Sequence, residues 1–195
     1  MKDKSRAELS FGIGGIKPMK VEAVFVDRDG TLGGTGHFIH PKDFSPYSFS
    51  RDALQMLKDH SIKTFACTNQ HRISKGEATL DDFYKEFQSY GFDDAFICPH
   101  GSDGDCHCHK PKPGMLLEAS RKYKLDLTKT VFIGDVGSTD MLAAHTVGAM
   151  KVLVLTGWGQ GSLNQYRDSW AEVEPDYVAE NLLDAVKWVI SKNEE

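Results

Sequence analysis

Five short apolar runs alternate along this chain with segments of helical periodicity, and that alternation constrains the fold more than any other feature. The runs fall at residues 21–26, 62–67, 95–98, 130–133 and 151–155, each of strand length. Between them, residues 50–60 carry Ala53, Leu54 and Leu57 on one helical face behind Ser50 as the expected N-cap. Leu80, Phe83, Tyr84 and Phe87 recur at helical spacing between a capping Thr79 and a terminating Gly91. Residues 115–123, 140–147 and 181–190 read as further helices, the last with Leu182, Leu183, Val186 and Val189 along an apolar face. Apolar strands separated by helices imply an α/β fold, a five-stranded parallel sheet with helices on both faces, wound by right-handed crossovers. A chain of 195 residues that is 40% hydrophobic holds one such core, so a single domain is expected over residues 19–195. Ligands of such sheets bind beyond the carboxyl ends of the strands.

The first run leads straight into Asp27-Arg28-Asp29-Gly30-Thr31. Side chains two residues apart on an extended segment point the same way, so Asp27 and Asp29 face one substrate, and Gly30 lets the chain turn away without covering them. One carboxylate can attack phosphorus while the other handles protons. Asp-Gly after an apolar run is also an ordinary turn signal, so the order of three further segments matters. Thr68-Asn69-Gln70 follows the second run, Lys110-Pro111-Lys112-Pro113-Gly114 precedes a helix, and Gly134-Asp135 follows the fourth run.

Net charge of −5 and a sequence pI near 5.9 argue against a general nucleic-acid surface, which needs a Lys/Arg stripe. No apolar run approaches the ~20 residues that cross a bilayer, and residues 1–18 lack the apolar centre of a secretory signal. A soluble, cytoplasmic protein is expected, a monomer or small homo-oligomer. Gly12, Gly14 and Gly15 are not followed by Gly-Lys-Ser/Thr, so residues 1–18 read as a flexible lead-in rather than a phosphate loop.

A second chemical signal is the run Cys98-Pro99-His100 followed by Cys106-His107-Cys108. Cys98, His100, Cys106 and Cys108 form a Cys₃His set suited to tetrahedral Zn²⁺, with His107 and His109 as nearby substitutes for His100. Four protein ligands fill the shell, so this zinc is expected to be structural and to fix residues 98–108 just ahead of Lys110. Cys67, ending the second run, reads as a small core residue.

Together the four segments resemble the haloacid dehalogenase-like (HAD) phosphohydrolase superfamily, over nearly all of the chain from Met19 onward. The resemblance implies a three-layer Rossmann-like fold and a phosphatase of small phosphomonoesters working through an aspartyl-phosphate. In it Asp27 is the nucleophile and Asp29 the acid and base. Mg²⁺ is held by the Asp27 carboxylate, the Asp29 backbone carbonyl and the Asp135 carboxylate. Thr68 and Asn69 meet the phosphoryl group, Lys110 offsets its charge, and Asp140 stands behind the metal ligands, with N-capping of its helix as the alternative reading. Residues 32–50 and 70–109 leave no room for a large cap domain. The zinc loop is similar to that of the capless subfamily containing D-glycero-D-manno-heptose 1,7-bisphosphate phosphatase and histidinol-phosphate phosphatase, which implies carbohydrate metabolism and a small phosphorylated metabolite.

Three positions depart from that subfamily: His109 stands where Arg is frequent, Val136 where Lys or Arg is common, and the interval from Asp135 to Asp140 is one residue longer. A polynucleotide 3′-phosphatase shares the chemistry but is disfavoured by the acidic balance. A haloalkanoate dehalogenase would not need Asp29 as an acid, and a phosphomutase would need a cap against water. A zinc-stabilised binding module with a decayed site is the non-enzymatic alternative. His37, His40 and residues 158–161 have two readings, substrate contact or plain surface loop, the second at least as strong, and they are left out of the catalytic set.

Overall fold

The computed structural model describes residues 20–101 and 104–194; the lead-in expected over residues 1–18 lies outside the described residues. One wholly parallel sheet has the order β3-β2-β1-β4-β5-β6. Its strands are β1 Ala23–Val26, β2 Lys63–Asn69, β3 Asp94–Cys98, β4 Thr130–Gly134, β5 Met150–Val154 and β6 Tyr177–Ala179. The helices are α1 Ser50–Asp59, α2 Leu80–Tyr90, α3 Gly114–Tyr123, α4 Leu142–Thr146, α5 Gly159–Leu163 and α6 Leu182–Glu194. The sheet has six strands, not five. β6 offers no apolar run to read, because it is three residues long with Val178 exposed. Backbone and side chain of Asp176 instead tie its start to Lys151 on β5.

Strand alternation divides the core in two. Val24, Val26, Ala66, Val131, Ile133, Val152 and Val154 face one way, against Leu54 and Leu57 of α1, Phe83 and Phe87 of α2, and Val186 and Val189 of α6. Phe25, Phe65, Phe96 and Phe132 face the other way, against Met115, Leu116 and Ala119 of α3 and Ala143 and Ala144 of α4. Both faces are therefore covered, as wholly parallel sheets require.

Local chemistry explains the helix ends. Thr79 caps α2 in a reciprocal box with Asp82, and Gly91 stops the helix in the left-handed region. Ser50 does not cap α1: Phe49 holds that position without a side-chain bond, while buried Ser50 donates its Oγ proton to the Leu32 carbonyl at 2.8 Å. Residues 140–147 are not one α-helix but a π turn, Gly137–Met141, followed by α4. α5 was not expected, because two of its five residues are glycine. No helix among the described residues is long and apolar enough to cross a membrane.

Candidate active site

The register of β1 with β4 pairs Val26 with Ile133, so Asp27 and Asp135 leave the carboxyl ends of adjacent strands. This is the point where the strand order reverses, the usual ligand position in open α/β sheets. Oxygens of Asp27, Asp135 and Asp140 lie within 4.8 Å of one another, all three side chains buried. Lys110 enters between them: its Nζ donates to Asp27 Oδ1 at 2.8 Å, Asp140 Oδ1 at 2.7 Å and the Cys67 carbonyl at 2.9 Å. At 3% exposure this lysine is a buried ion-pair partner, not a solvated side chain. Burial alone would lower its pKa, but the Asp140 and Asp27 carboxylates outweigh that and hold it above the usual lysine range.

Asp29 is fixed at both oxygens, by the Arg28 guanidinium on Oδ1 and by Gln70 Nε2 on Oδ2 at 2.7 Å. Arg28 is wholly buried. It forms a bidentate pair with Glu86 of α2 at 2.7 and 2.8 Å, donates to the Ile39 carbonyl at 2.9 Å, and lies 3.8 Å from the centre of the Phe44 ring. Burial raises the Asp29 carboxyl to about 6 against the opposing pull of Arg28. Its polar network sets which way the carboxyl points. Its raised pKa suits a group that both gives and takes a proton near neutrality.

Asp27, Asp29, Thr68, Asn69, Lys110 and Asp140 line one cavity of about 180 Å³. Asn69 holds the Lys110 backbone from both amide ends, donating to its carbonyl at 3.1 Å and accepting from its N–H at 3.0 Å. Asp140 accepts from the Val136 N–H at 3.0 Å in addition to Lys110. Burial pushes its carboxyl up to about 6 against the pull of Lys110. Asp135 accepts from Trp158 N–H at 2.7 Å and Thr31 Oγ1 at 3.2 Å, and burial beside Asp27 and Asp140 holds its carboxyl well above the usual range. Gly30 and Gly157 close over it: a Cβ at either position would stand 2.1 Å from Asp135 Oδ2. Clustered, partly uncompensated carboxylate oxygens are the donor set a hard divalent cation takes.

Ligand atoms of Cys98, His100, Cys106 and Cys108 also gather within 4.8 Å. His100 Nδ1 is 3.2 Å from Cys108 Sγ, and Cys98 Sγ is 3.7 Å from Cys106 Sγ. Three sulfurs and one imidazole in this arrangement fit Zn²⁺. His109 Nδ1 lies 3.7 Å from Cys98 Sγ, but both His109 and His107 are outside the four-residue group. Cys67 is fully buried and its thiol is pushed up to about 12 by burial, as a core residue.

Sequence reasoning missed Glu86, Thr31, Ser162 and the positioning roles of Arg28 and Gln70. Glu86 is buried at 7% exposure on α2, and no local sequence pattern marks it so. The Trp158 segment joins the site through its backbone N–H on Asp135, while Ser162 Oγ donates to the Asp135 carbonyl at 2.8 Å.

Residues 107–185 match the HAD-hydrolase-like family model. The chain is 34% identical over 169 residues to D-glycero-beta-D-manno-heptose-1,7-bisphosphate 7-phosphatase of Haemophilus influenzae, covering 76% of this chain and 92% of that one. It is 33% identical over 156 residues to the D-glycero-alpha-D-manno-heptose-1,7-bisphosphate 7-phosphatase of Photorhabdus laumondii, covering 71% and 85% respectively. The chain belongs to the HAD-like phosphatases. The D,D-heptose 1,7-bisphosphate phosphatase from B. bronchiseptica, solved with magnesium and phosphate, superposes on this HAD-like phosphatase with a TM-score of 0.76 at 27% identity, covering 88% of this chain and 99% of that one.

The interval from Asp135 to Asp140 runs into the π turn, where Leu142 N–H reaches the Gly137 carbonyl, a five-residue step. Asp140 in this turn accepts from Lys110. Val136 lies in the cavity wall.

Proposed function

We propose that this chain is a magnesium-dependent phosphatase that hydrolyses a phosphorylated sugar through an aspartyl-phosphate on Asp27. The observation that carries the reading is Lys110 bonded to both Asp27 and Asp140, in the same cavity as a doubly anchored Asp29. An Asp27 carboxylate oxygen attacks phosphorus and the ester P–O bond breaks. The leaving alkoxide takes its proton from Asp29. Asp29 then accepts a proton from the water that attacks the aspartyl-phosphate, and inorganic phosphate departs as the Asp27 carboxylate is restored. Thr68 donates its hydroxyl to a phosphoryl oxygen, and Lys110 offsets negative charge on Asp27 as the phosphoryl group arrives.

The Asp27 and Asp135 carboxylates and the Asp29 carbonyl would hold Mg²⁺, which would supply the positive charge that lets a phosphate dianion approach these carboxylates. Zn²⁺ on Cys98, His100, Cys106 and Cys108 has a structural role, fixing the loop that delivers Lys110. The relatives named for heptose 1,7-bisphosphates, and the one solved with magnesium and phosphate, support both the metal and the sugar-phosphate class. Released phosphate, measured with Mg²⁺ and a panel of sugar phosphates plus p-nitrophenyl phosphate, tests the reading. Asp27→Asn is expected to reduce turnover on the order of 10³-fold or more. A variant that kept wild-type turnover would remove Asp27 from the mechanism.

A further inference from the structure

The acidic cavity does not end at Thr139. Gly36, Val136 and Thr139 line both it and an adjoining groove of about 370 Å³, whose remaining walls include Ser138, Trp158 and Tyr166. We infer that this groove receives the leaving group, and that it selects an uncharged sugar body carrying a single phosphate rather than a bisphosphate. The inference rests on the phosphatase reading above and adds what lies on the far side of the ester bond.

Charge comes first. None of the groove's lining residues is an Asp, Glu, Lys, Arg or His. In the adjoining cavity Lys110 spends all three ammonium protons on Asp27, Asp140 and the Cys67 carbonyl, and Arg167, next to Tyr166, is held by the Trp170 and Val173 carbonyls and by Glu174. His71 also lines the cavity, and its neighbour Arg72 pairs through Nη1 with both oxygens of Glu77 at 2.9 and 3.1 Å while its Nε has no hydrogen-bond partner among the described residues; neither residue lines the groove. His37 meets Trp158 edge-on, ring centres 5.2 Å apart, without lining the groove. A second phosphate dianion seated in the groove would lose hydration against a wall that offers it no cationic side chain.

The groove does offer what an uncharged polyol uses. The Trp158 indole is held by its Nε1 proton on the Gly36 carbonyl at 3.2 Å and by the Tyr166 ring, centres 6.2 Å apart. It is a fixed, half-buried apolar surface for the C–H face of a sugar ring. Ser138 Oγ and Tyr166 Oη make no hydrogen bond among the described residues, so they are open to sugar hydroxyls. The π turn is what places Ser138 and Thr139 along this wall.

The test compares kcat/KM with Mg²⁺ for mannose 6-phosphate, fructose 1,6-bisphosphate and ethyl phosphate, the last having no sugar body to touch the groove. The expected result is at least a tenfold preference for the monophosphate over the bisphosphate. In Trp158→Ala the ratio of mannose 6-phosphate to ethyl phosphate should fall at least fivefold; because it is a ratio, partial misfolding cancels. Ser138→Arg should narrow or reverse the preference against the bisphosphate. A smaller wild-type preference, or an unchanged ratio in Trp158→Ala, overturns the subsite while leaving the phosphatase reading intact if Asp27→Asn is inactive on all three. Failure of wild type to release phosphate from any of the three removes the phosphatase reading and the subsite with it.

Discussion

Arg28 sits between two carboxylates with opposite tasks, and its surroundings decide what Asp29 can do. Glu86 takes two of its N–H groups, Ile39 and Asp29 take others, and Phe44 covers its face. A guanidinium with no exposed surface depends on those partners, because a buried charge left uncompensated is costly. Glu86→Gln is therefore expected to lower the unfolding free energy by about 3 kcal/mol, the low end for a broken buried pair, since Asp29 still faces Arg28. Urea unfolding measures it. The same variant should lower kcat more than it raises KM, because Asp29 loses a fixed orientation while the phosphate contacts proposed for Thr68 and Lys110 would remain. Wild-type stability in Glu86→Gln would show that the pair is not what holds Arg28 in the core.

At the scale of elements, the described residues between Cys98 and Lys110 hold no helix or strand, yet they lead into the buried lysine of the site. Gly114 N–H bonds to the His107 carbonyl at 3.1 Å and Lys112 Nζ to the Cys106 carbonyl at 2.7 Å, and Asn69 holds the Lys110 backbone. A metal on the four clustered ligands completes that scaffold two residues upstream of Lys110. Stripping zinc with a chelator and then restoring Mg²⁺ is expected to lower kcat/KM by about 10–100-fold, the range found when groups supporting a site are lost. Zinc per chain and released phosphate are measured on the same sample; full activity in a zinc-free sample would detach the cluster from the site. The sheet and its helices were largely legible, because five of six strands and both covering faces rest on apolar periodicity that sequence carries. β6 was not, since only three residues pair with β5 and the bonds of Asp176 to Lys151 that set its start are not a local pattern. The four motif centres could be read from their order, and the structure gathers Asp27, Thr68 and Lys110 in one cavity with Asp135 beside Asp27. What holds them could not be read: Glu86, Gln70 and Ser162 act through long-range hydrogen bonds that no local pattern announces.

For the molecule as a whole, the parallel sheet concentrates acid at one end of an already acidic chain. Asp27 and Asp135 emerge from neighbouring strands, Asp140 is brought back by the π turn, and their oxygens fall within 4.8 Å. Lys110 is the single ammonium among them. Folding therefore brings like charges together that the unfolded chain keeps apart, which is why burial and its neighbours hold the Asp135 carboxyl far above its ordinary range. A cation that binds only the folded arrangement relieves this and stabilises by mass action. At a Mg²⁺ concentration about a hundred times its dissociation constant the gain is ~2.7 kcal/mol. For a chain of this length that corresponds to a rise in Tm of about 5–10 °C. Asp135→Asn should behave in the opposite sense in both respects: its metal-free Tm should equal or exceed that of wild type, because one buried like charge is gone, while most of the Mg²⁺-dependent rise should vanish. Differential scanning calorimetry with and without Mg²⁺ on the two proteins decides it. A Mg²⁺-dependent rise of equal size in Asp135→Asn would place the ion elsewhere, and a metal-free Tm well below wild type would mean that Asp135 is held in the fold by its bonds to Trp158 and Thr31 more than it is opposed by Asp27 and Asp140.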